Sequence, residues 1–335
     1  MLPVAQIWLH LPRQHRYIEN TLLTDKTLTF ATANLFNFIA PPDAFYEFNN
    51  IYEEEAWLGK CQWTADQLST LNADIVGLQE VFSIGQARSL CEQLGYPHFV
   101  TVEQPHVESD YIYSKPVVAI ASKYPITHVQ KVTPPIEQCQ GYPNTLPEFS
   151  RHPIHVIIDV PELGEFSVYV CHLKSQRPTE GDHPDLDNPI LGSWLSSQQR
   201  GWEAVMLRLF MEAAYKKAPK PTVLLGDMNQ AISSDTTGYL VKQVRQQESG
   251  LILKDSWDLF DASEQSRPAT HYHFANGNVL DYVLMSQEFH TDSDVSMADI
   301  VRYQTLDSHL INPIYERDKF ASDHAFVAVT ARFVL

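Results

Sequence analysis

A set of short apolar runs, each stopping at a polar residue able to do chemistry, limits this chain more than any other feature. Residues 222–230, TVLLGDMNQ, are the plainest case: Val223, Leu224 and Leu225 lead directly to Gly226, Asp227 and Asn229. A run this short forms a buried strand, which leaves Asp227 and Asn229 at its rim. Gly, Asp and Asn also favour turns in their own right, so one such run says little. The arrangement recurs, however. TLTFATAN alternates Leu28, Phe30, Thr32 and Asn34 against Thr29, Ala31 and Ala33, ADIVGLQE stops at Glu80, and FSVYVCHLKS puts Phe166, Val168, Val170 and His172 on one face. NVLDYVLMS carries Asp281, and SDHAFVAVTARFVL opens with Asp323 and His324. Each polar residue alone has an ordinary explanation as a cap or rim residue. Together they supply carboxylates for a cation, two histidines, a carboxylate partner for one of them, and two amides.

The intervening segments predict an irregular lead-in over residues 1–26, then one domain over 27–335. Residues 36–60 read as a long loop carrying Trp57 and Lys60, followed by a helix over 64–71. Ser83 and Gln86 fit a capping box for a helix that Gly95 closes. Further strands are expected near 98–103, 117–122, 152–160 and 251–258, with a short helix near 237–247. Asp182, Asp185 and Asp187 lie in a polar loop without calcium-loop spacing, and Trp202, Val205, Met206, Leu209, Phe210 and Ala213 mark an amphipathic helix. Asn276-Gly277 is a strong hairpin signal, which predicts that THYHFA and NVLDYVLMS pair and that Asp281 sits on that hairpin. His271 and His273 could be metal ligands at i, i+2, but on a hairpin strand such histidines are more often surface or packing residues. Many strands with few helices predict stacked sheets with helices outside, not a doubly wound parallel sheet.

Charge narrows the function. The net charge of −17 over 335 residues argues against a protein that wraps long duplexes, which needs a basic face. A phosphate-bearing substrate would instead be gripped by a few local cations or a metal. Without a signal-peptide pattern or an apolar run of membrane-spanning length, the expectation is a cytoplasmic monomer with no transmembrane segment. Cys61, Cys91, Cys139 and Cys171 form no CxxC pair and read as reduced, packed thiols.

Taken in order, Asn34, the Gln-Glu of LQEV, KPVVAIASKYPI, CHLKS, GDMN, LDYVLMS and the terminal Ser-Asp-His resemble the endonuclease/exonuclease/phosphatase superfamily, the pancreatic-deoxyribonuclease-like fold. The resemblance runs from about residue 27 to 335. The chain departs from it at Lys115-Pro116, where relatives commonly have Gly, and in the length of residues 36–60. The resemblance implies an α/β (α+β) four-layer sandwich of two packed mixed β-sheets flanked by helices. It implies a divalent-metal-dependent phosphoesterase hydrolysing phosphodiester bonds. Glu80, with Asp323 and Asn34, would hold Mg²⁺, with Mn²⁺ or Ca²⁺ as substitutes. His324 paired with Asp281 would be a base or phosphate-binding dyad, Asp227 would act on the attacking water, Asn229 would donate to a phosphate oxygen, and His172 would face the leaving group. The resemblance leaves open which histidine is acid and which is base. Lys174 and Arg177 are substrate-binding candidates, weighed equally against a merely polar strand end.

Within the family a nuclease is favoured, acting on a locally gripped phosphate ester with nucleic acid among the candidate partners. The alternatives are a sphingomyelinase-like or inositol-phosphate-type phosphoesterase, or a non-catalytic scaffold. The phosphatases' Trp-Cys-Asp-Arg type motif is replaced here by NVLDYV.

Overall fold

Period-2 alternation sets the layers. The computed structural model describes residues 25–142, 145–181, 187–243, 250–261 and 265–334. In it β1 (Asp25–Phe38) sends Leu28 and Phe30 to one side and Ala31, Ala33 and Leu35 to the other, and both sides are buried. The strands that follow are β2 (Ala44–Phe45), β3 (Ile75–Val81), β4 (His98–Val100), β5 (His106–Ser109), β6 (Ile112–Ser114), β7 (Val117–Ser122), β8 (Ile126–Lys131) and β9 (Ile154–Val160). Then come β10 (Gly164–His172), β11 (Thr222–Asp227), β12 (Leu253–Asp255), β13 (His271–His273), β14 (Asn276–Asn278), β15 (Asp281–Ser286), β16 (Ala298–Leu306) and β17 (Phe326–Val334). The main helices are α1 (Glu54–Leu71), α2 (Ile84–Gln93) and α3 (Pro189–Lys217).

Two six-stranded sheets result, ordered β16-β17-β1-β3-β7-β4 and β12-β15-β11-β10-β9-β8. In each the central pair is parallel, β1 with β3 and β10 with β11, and the outer neighbours are antiparallel. Leu28, Phe30, Val118 and Ile120 of the first sheet share a core with Val168, Val170, Leu225 and Val283 of the second. The outer face of the first sheet packs on α1 and α2 through Trp63, Leu68, Ala87 and Cys91, and that of the second on α3 through Ala204, Met206, Leu207 and Met211. This is the expected four-layer sandwich. Gly226 lies where β11 crowds β10, since a Cβ there would come within 2.3 Å of the Cys171 carbonyl oxygen.

Several local expectations fail for identifiable reasons. β1 begins at Asp25 and continues to Phe38, while residues 1–24 of the expected lead-in lie outside the described residues. The loop expected over 36–60 contains β2 and the start of α1, whose first turn holds Glu54 and Glu55, acids that suit a helix N-terminus. The expected capping box does not form, because Ser83 Oγ accepts from the Ala40 backbone N–H at 2.7 Å. Asn276-Gly277 is not the hairpin turn. β13 pairs with β14 with His273 opposite Asn276, so the turn is Phe274-Ala275, with Phe274 at φ 52°. Gly277 instead answers a close approach, since a Cβ there would lie 2.7 Å from the Ala269 Cβ. Asp281 accordingly belongs to β15, between β11 and β12, not to the hairpin. Asp182 and Asp185, and the end of the helix expected near 237–247, lie outside the described residues.

One buried histidine, on β9, has a pH consequence. His155 stacks on Tyr169 at 4.2 Å and shares a 2.8 Å hydrogen bond with Ser167. Burial, with His128 adding to it, lowers its pKa from 6.5 to about 4. The folded state therefore resists a proton that the unfolded chain accepts, so stability falls as pH drops from 6.5 through about 4. The loss is expected to reach roughly 3 kcal/mol. Urea unfolding of His155→Phe and the parent at pH 7 and pH 4 checks this: the variant should gain on the parent at pH 4, and parallel losses would refute it.

Candidate active site

The inter-sheet core ends in polar residues because the strands that build it end there. In the second sheet His172, Asp227 and Asp281 lie directly opposite one another across β10, β11 and β15. They share the face that buries Val170, Leu225 and Val283, so they continue the apolar layer as a polar edge. Asn34 lies on the Leu28–Phe30 face of β1, at the matching end of the first sheet. Beyond it the pairing slips: Asn34 is opposite Gln79, but Phe38 is opposite Val81. Phe36 at φ 51°, Asn37 at φ 53° and Glu80 at φ 60° absorb this irregularity in left-handed backbone. Non-glycine residues adopt that conformation at a cost of about 1 kcal/mol or more each. Here it re-aims the chain as a bulge does, and Glu80 Oε2 accepts from the Asn37 N–H at 2.8 Å.

Asp227 is the hub. It is 1% exposed, its Oδ1 accepts from the Asn229 backbone N–H at 2.7 Å, and its Oδ2 accepts from Asn34 Nδ2 at 3.1 Å. The same Oδ2 lies 3.4 Å from His172 Nε2 and 3.7 Å from His324 Nε2. His324 Nδ1 meets Asp281 Oδ2 at 2.8 Å, which turns its Nε2 toward Asp227. The His324 ring is held further by its own backbone, whose N–H donates to Ser322 Oγ and whose carbonyl lies 3.1 Å from His309 Nε2. Ser322 Oγ donates in turn to the Asn34 carbonyl at 2.7 Å. The Asn229 amide donates to the Leu173 carbonyl at 2.9 Å, an engagement that fixes the loop after β11.

These contacts separate the charges. Burial raises the Asp227 carboxyl to about 7, with Asp281 adding to the rise while His324, Asn229 and Asn34 oppose it. Burial, then the charges of Arg151 and His324, push His172 well below the usual histidine range, so its ring is neutral. Burial also opposes charge on His324, but Asp281 and Asp227 outweigh it and hold this ring well above the ordinary value, as an imidazolium.

Around this hub the structure gathers cations on an acidic protein. Burial, with Arg151, Arg200 and Arg177 adding to it and Glu203 opposing, lowers the pKa of Lys174. Arg151 donates to the His172 and Leu173 carbonyls, and Arg200 to those of Lys174 and Ser175, so both brace the strand end. Arg177 is exposed and paired with Glu180 at 2.9 Å.

A carboxylate site adjoins the hub. Glu80 and Asp323 act on each other, on Lys60 and on Tyr52. Burial raises Asp323, with Glu80 adding and His324 opposing, and lowers Lys60 to about 8 against the pull of Glu80 and Asp323. Asp323 Oδ1 and Asn37 Oδ1 are buried without a protein hydrogen-bond partner. Two carboxylates, with orphaned oxygens on Asp323 and on the Asn37 amide, suit a hard divalent cation. His271, expected to be a packing residue, is brought to the site by its bridge to His324, and one ligand atom each of His271, Asp323 and His324 lie within 4.8 Å of one another. The same holds for Asp227, Asp281 and His324. Sequence reasoning missed Ser322 and His309 as supports; Ser322 sits in the Ser-Asp-His motif, whereas nothing in the sequence marks His309.

The endonuclease/exonuclease/phosphatase family matches over residues 57–324. Among curated proteins, none matches the chain. The fold is similar to that of the human Nocturnin catalytic domain with a bound sulfate anion, at 15% identity over 93% of this chain and 98% of that one, with a TM-score of 0.61. It is similar to ANGEL2, a 2′,3′-cyclic phosphatase, at 15% identity over 93% and 96% of the two chains and a TM-score of 0.60. It is also similar to a Bacteroides thetaiotaomicron mannosyl-6-phosphatase, at 18% identity over 91% and 99% and a TM-score of 0.52. At these identities the likeness is one of fold.

Proposed function

The chain belongs to the endonuclease/exonuclease/phosphatase family, whose members are phosphoesterase hydrolases, and from that premise we propose that it is a divalent-metal-dependent phosphodiesterase acting on locally gripped phosphate esters, with short nucleic acids the favoured substrates. The observation that carries this reading is the convergence of His172, His324 and Asn34 on the Asp227 carboxylate.

A carboxyl raised to about 7 is matched to taking a proton from water at neutral pH, so Asp227 is the general base. His324, held charged and oriented by Asp281, donates to a phosphoryl oxygen as negative charge builds there. His172 is neutral and so serves better to orient the phosphate than to protonate a leaving group. Asn229 keeps the end of β11 in place for Asp227. Glu80 and Asp323, with Asn34 beside them, would hold the metal, which when bound supplies charge neutralisation on the phosphoryl group. Lys174 and the exposed Arg177 would meet the non-bridging oxygens or a neighbouring phosphate. This small cation cluster on a chain of net charge −17 supports a local grip rather than extended duplex contact. Among the described residues no helix is long and apolar enough to cross a membrane.

The test is hydrolysis of an aryl phosphodiester, single-stranded DNA, RNA, plasmid, sphingomyelin and inositol phosphates, each with Mg²⁺ and with chelator. Mg²⁺-restored turnover of the aryl diester and of short single strands is expected. Preference for sphingomyelin or a phosphomonoester would move the specificity to those classes, and inactivity on every substrate would favour a scaffold.

A further inference from the structure

Lys60 is a charged residue on the buried stripe of a helix. α1 buries Lys60, Trp63, Thr64, Leu68 and Leu71, an i, i+3, i+4 pattern that faces the first sheet. Trp63, Leu68 and Leu71 join the apolar layer against the first sheet, and Thr64 is a buried, uncharged fourth member. The fifth carries an ammonium group and is 2% exposed, a placement that is unfavourable unless other groups offset the charge. Two kinds of group do so. Its Nζ lies 5.3 Å from the centre of the Phe36 ring and 5.7 Å from that of Tyr52, within the range of a cation–π contact. The acids facing it are Glu80, from the end of β3, and Asp323, from the segment before β17. Phe36 and Glu80 both belong to the irregularity that ends the β1/β3 pairing, and both are in left-handed backbone. The same distortion that aims Glu80 at the site therefore also sets a ring against the lysine.

We propose that Lys60 is a resident cation for the Glu80–Asp323 pair, offsetting the repulsion between the two carboxylates when no ion is bound and weakening their hold on a divalent ion when one arrives. This rests on the reading of Glu80 and Asp323 as metal ligands. The physics is simple competition: a fixed positive charge that stabilises two adjacent carboxylates opposes a second positive charge placed between them, and low local polarity strengthens both effects. The lysine thus keeps the empty site folded and the loaded site exchangeable.

Calorimetric titration of the metal-free protein with MnCl₂ tests this on the parent and on Lys60→Met, with folding checked by circular dichroism. The variant is expected to bind Mn²⁺ at least about tenfold more tightly than the parent, an increase that damage to the site would not produce. Equal or weaker binding by the variant, with normal binding by the parent, overturns the role of Lys60 and leaves the metal reading standing. No saturable binding by the parent overturns both. If Lys60→Met fails to fold, Lys60→Gln, which keeps an N–H donor beside the rings, carries the same comparison.

Discussion

Asp227→Asn is expected to lower kcat by about three orders of magnitude on the fastest phosphoester of the substrate panel, in line with the ~10²–10⁴ that a positioned general base contributes. The amide is close to isosteric and its oxygen can still accept from the Asn229 N–H, but its NH2 replaces the oxygen that accepts from Asn34 and faces the His324 ring. The urea midpoint should therefore fall modestly, with the variant still folded under assay conditions. The pH profile adds a sign. The base works only when ionised, so the parent loses activity as pH falls through about 7, and the residual activity of the variant should lack that acid limb. A variant retaining a tenth or more of parental kcat at saturating metal would remove Asp227 from the role of base.

Asp281→Asn should cost about two to three orders of magnitude in kcat, for a different reason. Asp281 is fully buried and contributes both the 2.8 Å contact to His324 Nδ1 and much of the charge that keeps that ring protonated. Without that charge the pKa of His324 falls, so the alkaline limb of the pH profile should move to lower pH. The amide nitrogen would take the place of Oδ1, which has no partner, so a stability loss of about 1–3 kcal/mol is expected beside the loss of rate. An alkaline limb that stays in place would show that His324 is not the group whose protonation the reaction needs.

The chain makes its layers legible because both faces of the central strands are buried. Runs such as VVAIAS, wholly buried in β7, read as strands through their short length and β-branched residues. The positions of Glu80, His172, Asp227 and Asp323 are legible for a related reason: an apolar strand bounded by an ionisable residue has reached the edge of its core. What escaped reading depended on conformation or distant contacts. The left-handed backbone of Phe36, Asn37 and Glu80 is imposed by a slipped register between strands, and no composition rule marks it. Lys60 reads as part of a long loop because a lysine on a helical stripe breaks the apolar pattern that would announce the helix. Asn276-Gly277 misled because glycine serves tight turns and close contacts alike, and only the neighbouring Ala269 and Tyr272 distinguish them. His271 is ordinary in its own segment and acquires meaning only through the bridge to His324.

The hydrogen bonds that join Asn34 to Asp227 and His324 to Asp281 each run from the first sheet, or the segment leading into it, to the second. β1, which carries Asn34, pairs with β17, with Asp25 opposite Val334. Closing that pair must bring together positions about three hundred residues apart, among the slowest kinds of contact to form because so much chain entropy is lost first. Neither sheet alone holds the full set of side chains that converge on Asp227. A partly folded chain with one sheet assembled would therefore have native-like strands without the assembled cluster.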